Sequence, residues 1–251
     1  MANLASTGSV NSVVQRARAV LAPLADVRRA AAMRAYLRDQ FEFLGIPAPE
    51  RRAAVTPMLR SLRGASADEL MSYAKEFWRQ PQREFQYVAI VLLARQTKTL
   101  AGPLCAGRAG ALARQRLRGL LQLAQLDSWW DTVDGLAGIV GDLVLARRAV
   151  DRLCQEEMDI ALHHENLWVR RIAMLHQLGW REQTDAVRLF GYADALALEE
   201  NFFVRKAIGW ALRDFARHDP VAVRRYLRQK EGLLAPLSWR EAARHLDMRG
   251  K

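Results

Sequence analysis

The sequence predicts an all-α fold made of stacked helix pairs, and three observations support this. Leu, Ala, Arg, Glu and Gln, which are good helix formers, dominate the chain. Apolar residues recur at spacings of three and four, which is the period of a helix with one buried face. The segments NLWVRR (166–171) and NFFVRK (201–206) lie 35 residues apart and share one pattern, as repeats do. We therefore expect an α-solenoid of HEAT-like repeats with a concave basic groove; an irregular bundle is the alternative.

The predicted helices follow this periodicity, and most prolines fall at their edges. They span 11–24, 27–43, 49–62, 67–80, 83–97, 108–126, 128–146, 148–163, 166–179, 183–199, 201–217, 219–229 and 236–247. In 128–146 the dipeptide DG (134–135) resembles a hairpin turn, and Gly138 and Gly141 follow it. We predict helix there because SWWD (128–131) reads as a capping box and the apolar period continues. The glycines would then let another backbone pack closely.

Composition and charge indicate a globular domain that meets a polyanion. The chain has 251 residues, of which 51% are hydrophobic, so it can bury a sizeable core. We predict a single domain over 11–251 after a flexible terminus over 1–10. The formal net charge is +11, and 33 of the 38 basic residues are arginine, which is typical of proteins that bind nucleic acid. A genomic bias toward arginine codons is the alternative.

The sequence argues against membrane insertion and secretion. The longest apolar runs are too short to cross a bilayer, and the N-terminus lacks the basic and apolar stretches of a signal peptide. Cys105 and Cys154 are far apart and form no CxxC pair, so we expect reduced thiols in a cytoplasmic protein.

Metal, nucleotide and serine-nucleophile chemistry lack their usual signatures. The chain has no G-x-x-x-x-G-K-[ST], no G-x-G-x-x-G after a strand, no H-E-x-x-H and no G-x-S-x-G. HHE (163–165) comes nearest to a metal motif, but adjacent side chains point to different sides of a helix. We therefore expect neither a metal nor a nucleotide cofactor.

Aromatic, acidic and basic residues recur near the predicted helix starts. Trp130 and Asp134 are four residues apart, so an indole and a carboxylate share one helix face. Arg171 lies early in its helix, and Trp210 follows Lys206 by the same four residues. Taken singly, each is most simply a core indole, a solvated or salt-bridged acid, or a surface cation. Together, on one concave face, they would place a carboxylate between two indoles in a basic groove.

A carboxylate in a basic groove is informative because it repels phosphate. A groove that only binds a polyanion would tend to omit it. A groove that acts on a developing cation would use it.

Six motifs form an ordered set along the chain. They are LGIPAPERR (44–52), QREFQYVAI (82–90), SWWDTVDGLA (128–137), NLWVRRIA (166–173), FFVRKAIGWALRDFA (202–216) and LAPLSWREA (234–242). The set resembles the AlkD-type DNA alkylation repair proteins over about residues 15–248, most specifically in SWWDTVD and KAIGW. The resemblance implies a HEAT-like solenoid that clasps duplex DNA. It also implies a DNA glycosylase that removes cationic N3- and N7-alkylated purines.

By matching motif positions, the resemblance puts the catalytic residues at Trp130, Asp134, Arg171 and Trp210. A cationic purine leaves without a general acid, so Asp134 would stabilise the oxocarbenium-like sugar and position water. The two indoles would pack against the deoxyribose, and Arg171 would hold an adjacent phosphate. The resemblance also implies that the base stays stacked rather than flipped. We expect no lyase step, because Lys206 is the only lysine near the cluster and a phosphate contact suits it better.

The remaining basic residues are candidates for sequence-independent phosphate contacts. They are Arg51, Arg52, Arg170, Arg205, Lys206, Arg213 and Arg217, and the resemblance adds Tyr36 as a cleft residue. The expected partner is double-stranded DNA with alkylated purines, bound by a monomer that associates with the nucleoid. The alternatives are a HEAT-type module that binds nucleic acid without chemistry and a protein-binding solenoid.

Overall fold

The computed structural model describes residues 4–248. Within that range the regular structure consists of 14 α-helices and two 3-10 segments, at 22–24 and 181–183, with one isolated bridge between Glu42 and Gln82. The helices are α1 (Leu4–Leu21), α2 (Val27–Tyr36), α3 (Ala48–Ser61), α4 (Ala67–Trp78), α5 (Arg83–Ala94), α6 (Thr97–Ala101), α7 (Arg108–Leu123), α8 (Trp130–Arg147), α9 (Leu153–Ala161), α10 (Leu167–Leu175), α11 (Ala186–Ala195), α12 (Phe202–Phe215), α13 (Pro220–Gln229) and α14 (Pro236–Ala243). The all-α prediction is confirmed.

The chain divides into two compact units, Met1–Gly102 and Pro103–Lys251. In the first unit, α1 packs on α3 and α4, and α5 packs on α3, α4 and α6. In the second unit, α8, α10, α12 and α14 pack consecutively in one row. The helices α7, α9, α11 and α13 pack on that row in turn, so the arrangement is that of an α-solenoid of helical repeats. The concave basic groove stays a prediction.

A buried carboxylate fixes the loop between α2 and α3. Glu84 on α5 accepts hydrogen bonds from the backbone N–H groups of Leu44, Gly45 and Ile46 at 2.9, 2.9 and 3.1 Å. Gly45 has a φ of +85°, and a Cβ there would lie 2.1 Å from the carbonyl oxygen of Asp26. The first two motifs of the set are therefore parts of one structural joint.

The two echoing segments begin their helices in the same way. The side chain of Asn166 accepts a hydrogen bond from the backbone N–H of Trp168, and that of Asn201 accepts one from Phe203, each at 2.9 Å. Both asparagines are thus N-caps, of α10 and of α12. The predicted repeat corresponds to a repeated structural unit.

Tyrosine–aspartate pairs link α9, α11 and α13, the helices that pack on the row. The hydroxyl of Tyr192 on α11 donates to Asp159 on α9 at 2.6 Å, and that of Tyr226 on α13 donates to Asp194 on α11 at 3.0 Å. Burial is the main cause that raises the pKa of both tyrosines, so both hydroxyls remain donors at neutral pH. These pairs hold the repeats in register.

One predicted glycine contact is right and another is wrong. A Cβ at Gly141 would lie 2.0 Å from the carbonyl oxygen of His176, so α8 contacts the end of α10 backbone to backbone. Gly138 is exposed, and a Cβ there would meet nothing within 4 Å. The close packing against α8 therefore depends on Gly141 and not on Gly138.

Many helix boundaries differ from the prediction, and two of the differences have a local cause. The helix α2 ends at Tyr36 because Arg38 and Asp39 have φ values of 57° and 56°, in the left-handed region. The capping box at 128–131 is wrong, since the Ser128 hydroxyl donates instead to the carbonyl of Ala124 at 2.6 Å and α8 begins at Trp130. The short α6 was not predicted as a separate helix.

The predictions for the termini concern residues that the structure describes only in part. Residues 1–3 of the predicted flexible terminus lie outside the described residues, and α1 begins at Leu4. The single domain over 11–251 stays a prediction. None of the helices in the described part of the chain is both long enough and apolar enough to cross a membrane.

Candidate active site

Three neighbouring helices of the second unit carry the four predicted catalytic residues. Trp130 opens α8 and Asp134 follows one turn later, while α10 carries Arg171 and α12 carries Trp210. Because α10 packs on both α8 and α12, the structure brings the four side chains into one region. Arg171 is only 2% exposed, whereas the other three are half-buried.

Asp134 and Arg171 form a bidentate ion pair between α8 and α10. Nε of Arg171 lies 2.8 Å from Oδ1 of Asp134, and Nη2 lies 2.9 Å from Oδ2. The Asp134 side chain remains 24% exposed while its partner is 2% exposed. Of the two simple alternatives for this side chain, a solvated or a salt-bridged acid, the structure shows the salt-bridged one. A buried cation holds the carboxylate in one orientation, and part of the carboxylate still faces solvent.

The polar face of α8 explains why Asp134 reaches solvent. Gly138 and Asp142 lie one and two turns further along the same face, and both are exposed. The opposite face of α8 is buried through residues such as Val133 and Leu136. The face of α8 that carries Asp134 and Asp142 therefore faces solvent, and the buried Arg171 contacts Asp134 from the protein interior.

An aromatic triad holds Arg171 in place through a backbone carbonyl. Nη1 of Arg171 donates to the carbonyl of Phe203, the second residue of α12. The ring of Phe203 packs on Trp129 and Trp168, with centroids 5.1 and 4.9 Å away, and the two indoles are 5.8 Å apart. The triad joins the first turns of α10 and α12 to the residue before α8. The guanidinium is therefore held by packed protein on one side and by Asp134 on the other.

Three cations surround the indole of Trp210. The guanidinium carbon of Arg171 lies 5.6 Å from its ring centroid, Nζ of Lys206 lies 5.9 Å away, and the guanidinium carbon of Arg213 lies 6.0 Å away. These are cation–π distances. The ring therefore lies in positive surroundings beside the Asp134 carboxylate.

A second carboxylate, which sequence reasoning missed, organises two of these cations. Glu241 on α14 forms an ion pair with Arg213 and lies 3.9 Å from Nζ of Lys206. The close approach of α14 explains its position, since a Cβ at Gly209 would lie 2.4 Å from that of Glu241. The glycine in KAIGW was a usable signal for a packed neighbour, but no pattern identified which acid that neighbour carries.

Two predicted phosphate contacts hold loops instead. Nη1 of Arg170 donates to the carbonyls of His164 and Glu165, each at 2.7 Å, and its guanidinium pairs with Glu199. Nε of Arg205 donates to the carbonyl of Glu199. These arginines occupy the same position in the two repeats, and each folds back on the loop before its own helix. Their contacts are structural.

The other predicted cations of the second unit differ in accessibility. The side chain of Arg217 is 65% exposed and 3.7 Å from Asp214. Lys206 is 32% exposed and Arg213 is 17% exposed. Lys206 is therefore the more accessible of the two cations that flank Trp210 from α12.

The predicted DNA-contacting residues of the first unit lie on α2 and α3. Tyr36, at the end of α2, is 74% exposed, and Arg52 is exposed on α3. Arg51 is half-buried, with its guanidinium carbon 4.4 Å from the ring centroid of Tyr87. Burial lowers the pKa of Arg51 below its usual value, although it stays a cation at neutral pH. Joint action of these residues with Asp134 stays a prediction.

Of the histidines at 163–164, His164 supports the N-cap of α10. Nδ1 of His164 accepts a hydrogen bond from the backbone N–H of Asn166 at 3.0 Å. Across the described residues, no three His, Cys, Asp or Glu side chains cluster in a way that could hold a metal ion.

Comparison with known proteins identifies the family of the chain. The family model described as DNA alkylation repair enzyme matches residues 17–246. A solved structure described as a predicted DNA alkylation repair enzyme from Enterococcus faecalis is similar, with a TM-score of 0.74 and 28% identity; the match covers 88% of this chain and 96% of that one. No curated protein matches the chain. The chain belongs to the family of DNA alkylation repair enzymes.

Proposed function

We propose that the protein is a monofunctional DNA glycosylase that hydrolyses the N-glycosidic bond of cationic N3- and N7-alkylated purines in duplex DNA. One observation carries the proposal. A partly exposed carboxylate, Asp134, is held in a fixed orientation by the buried Arg171, with Trp130 one turn before it. Such a group can be preorganised toward a positive charge that develops only in the transition state.

The chemistry needs little more than this carboxylate. A purine alkylated at N3 or N7 already carries a positive charge, so it can leave without protonation. The deoxyribose then becomes oxocarbenium-like, and Asp134 stabilises it and orients the attacking water. An ionised carboxylate has about four lone-pair sites. Arg171 uses two of them, so others remain for water.

The ion pair reduces this stabilisation without cancelling it. With an effective dielectric constant of about 20, a carboxylate about 3.5 Å from the cationic sugar contributes about 5 kcal/mol. A guanidinium about 7 Å from the sugar, behind the carboxylate, opposes it by about 2 kcal/mol. The net contribution of the Asp134–Arg171 pair is then about 2–3 kcal/mol, or roughly 50-fold in rate.

The geometry changes the role that we propose for Arg171. Its side chain donates hydrogen bonds to Asp134 and to the carbonyl of Phe203, and it is 2% exposed. We therefore assign Arg171 the positioning of Asp134 rather than a phosphate contact. We assign the contact with the phosphate beside the damaged nucleotide to Lys206 instead. Its ammonium lies 3.9 Å from Glu241 and can bind a further partner.

The pairing of Asp134 also favours a second candidate function. A carboxylate neutralised by a buried arginine repels DNA less than an unpaired one, which suits a module that binds nucleic acid without chemistry. That module would bind methylated and unmethylated duplexes alike and would release no base.

Base release distinguishes the two functions. The protein is incubated with methylated duplex DNA, and free N7-methylguanine and N3-methyladenine are measured by chromatography, with abasic sites counted in parallel. Unmethylated duplex is the control. The proposal predicts free base and an equal number of abasic sites without enzymatic strand cleavage. Binding without base release would contradict it.

A further inference from the structure

The first unit contains a cavity lined by arginines. It has a volume of about 320 Å³ and lies between the C-terminal ends of α3 and α5. The lining residues are Thr56, Leu59, Arg60, Arg63, Leu92, Arg95 and Gln96. Three arginines therefore line one cavity, and no acidic residue is among the lining residues.

Two of the three arginines are free to take a ligand. Among the described residues, the side chains of Arg60 and Arg63 form no hydrogen bond or ion pair, and both residues are exposed. The cations near the candidate active site differ, since Arg213 is paired with Glu241 and Arg170 with Glu199. The charge of the cavity is thus not neutralised within the first unit.

The third arginine is already oriented at the cavity. Nη2 of Arg95 on α5 donates to Oγ1 of Thr56 on α3 at 3.0 Å, and that hydroxyl donates to the carbonyl of Arg52 at 2.6 Å. A guanidinium has five N–H donors, and this contact uses one. The walls beneath it are apolar and rigid, because Leu59 is 3% exposed and Leu92 is 1% exposed. A charge-assisted bond gains strength beside such low-dielectric walls.

We propose that this cavity is a binding site for a phosphate group, with Arg60, Arg63 and Arg95 as its donors. Guanidinium forks match the oxygens of phosphate, and three of them at one cavity supply more positive charge than a single phosphate carries. The competing explanation is that these arginines only offset the negative ends of α3 and α5. That explanation requires no ligand and predicts no dependence of DNA binding on Arg60 or Arg63.

The phosphate can come from two sources. A backbone phosphate of duplex DNA is one, and this source rests on the proposed function insofar as that function requires DNA binding. Free inorganic phosphate is the other and does not depend on it. Either source requires the same three donors.

The test removes two donors and compares the result with a matched loss of charge. Arg60→Gln/Arg63→Gln is compared with Arg152→Gln/Arg225→Gln, whose arginines are exposed and unpaired among the described residues. Binding of an unmodified duplex is measured from 50 to 200 mM salt, and binding of inorganic phosphate is measured by titration calorimetry without DNA. Thermal melting verifies that both variants fold. Since the duplex is undamaged, a protein without glycosylase activity gives the same readout.

Each outcome of the test either supports or overturns the proposed phosphate site. If the slope of log K against log salt concentration becomes shallower by about 1 in the cavity variant, beyond any change in the control, the site holds a backbone phosphate. If the slopes agree but only the cavity variant loses inorganic phosphate, the site holds free phosphate. If the cavity variant matches the control in both measurements, the proposal is overturned.

Discussion

Substitution of Arg171 by lysine separates a positioning role from a phosphate contact. Arg171 makes two bonds to Asp134, at 2.8 and 2.9 Å, and a third to the carbonyl of Phe203. Lysine keeps the charge, but its compact ammonium cannot reproduce the planar fork. Two charge-assisted bonds are lost at about 1.5–3 kcal/mol each, so the free energy of unfolding should fall by about 3 kcal/mol or more.

The effect on catalysis follows from the freed carboxylate. Without the bidentate clamp Asp134 can rotate, and a displacement of about 1 Å can cost on the order of 100-fold in rate. We expect single-turnover release of N7-methylguanine to fall by about 10- to 100-fold. The assay uses enzyme in excess over methylated duplex, well below the melting temperature of the variant.

DNA binding supplies the decisive second readout. Because Arg171 is 2% exposed and directed at Asp134, its replacement by the neutral glutamine should leave the salt slope of duplex binding unchanged. A phosphate contact would instead lower that slope by about 1. A lower slope for Arg171→Gln, together with an unchanged release rate for Arg171→Lys, would refute the positioning role.

Three further predictions concern stability and reactivity. Burial lowers the pKa of His176 to about 4, so below about pH 6.5 the unfolded chain binds a proton that the folded protein does not. As the pH falls from 6.5 to 4, the free energy of unfolding should therefore drop by up to about 3 kcal/mol. Denaturant melts at several pH values should show that His176→Gln abolishes this loss. Gly141→Ala should destabilise the protein by about 1–3 kcal/mol, because its Cβ would meet a backbone oxygen at 2.0 Å. Gly138→Ala, in open space on the same helix, should stabilise the protein by up to about 1 kcal/mol. Equal shifts of the melting temperature for the two variants would refute the backbone contact. Native protein should react with a maleimide at the exposed Cys105 and not at Cys154, whose pKa burial raises to about 11; labelling of both thiols at similar rates, detected by mass spectrometry, would contradict this.

The sequence predicted most of the helices because their apolar residues repeat with the helical period. The asparagines at 166 and 201 marked two helix starts correctly, since each side chain caps its own helix locally. The predicted cap at Ser128 is wrong, because its hydroxyl donates to the carbonyl of Ala124 instead of accepting from a following N–H. A helix cap predicted from sequence is reliable only when no nearby carbonyl competes for the capping side chain.

The pairings within the site could not be predicted. Arg170 and Arg171 are adjacent and chemically identical, yet one holds a loop and the other is buried against Asp134. The rotation of α10 between its neighbours decides which arginine turns inward, and no sequence pattern records that rotation. Glu241 was missed for the same reason, because its pairing with Arg213 depends on how closely α14 packs on α12.

The central claim is that the charge of Asp134 stabilises a cationic sugar. Its most direct test compares single-turnover base release by Asp134→Asn with that by Asp142→Asn, a carboxylate two turns away on the same exposed face of α8. Because Arg171 stays in place, the amide removes the whole carboxylate contribution of about 5 kcal/mol and should lower the rate at position 134 on the order of 10³-fold, with duplex affinity equal or tighter, while position 142 should change it less than two-fold. Equal release rates for both variants and the unsubstituted protein would contradict the account.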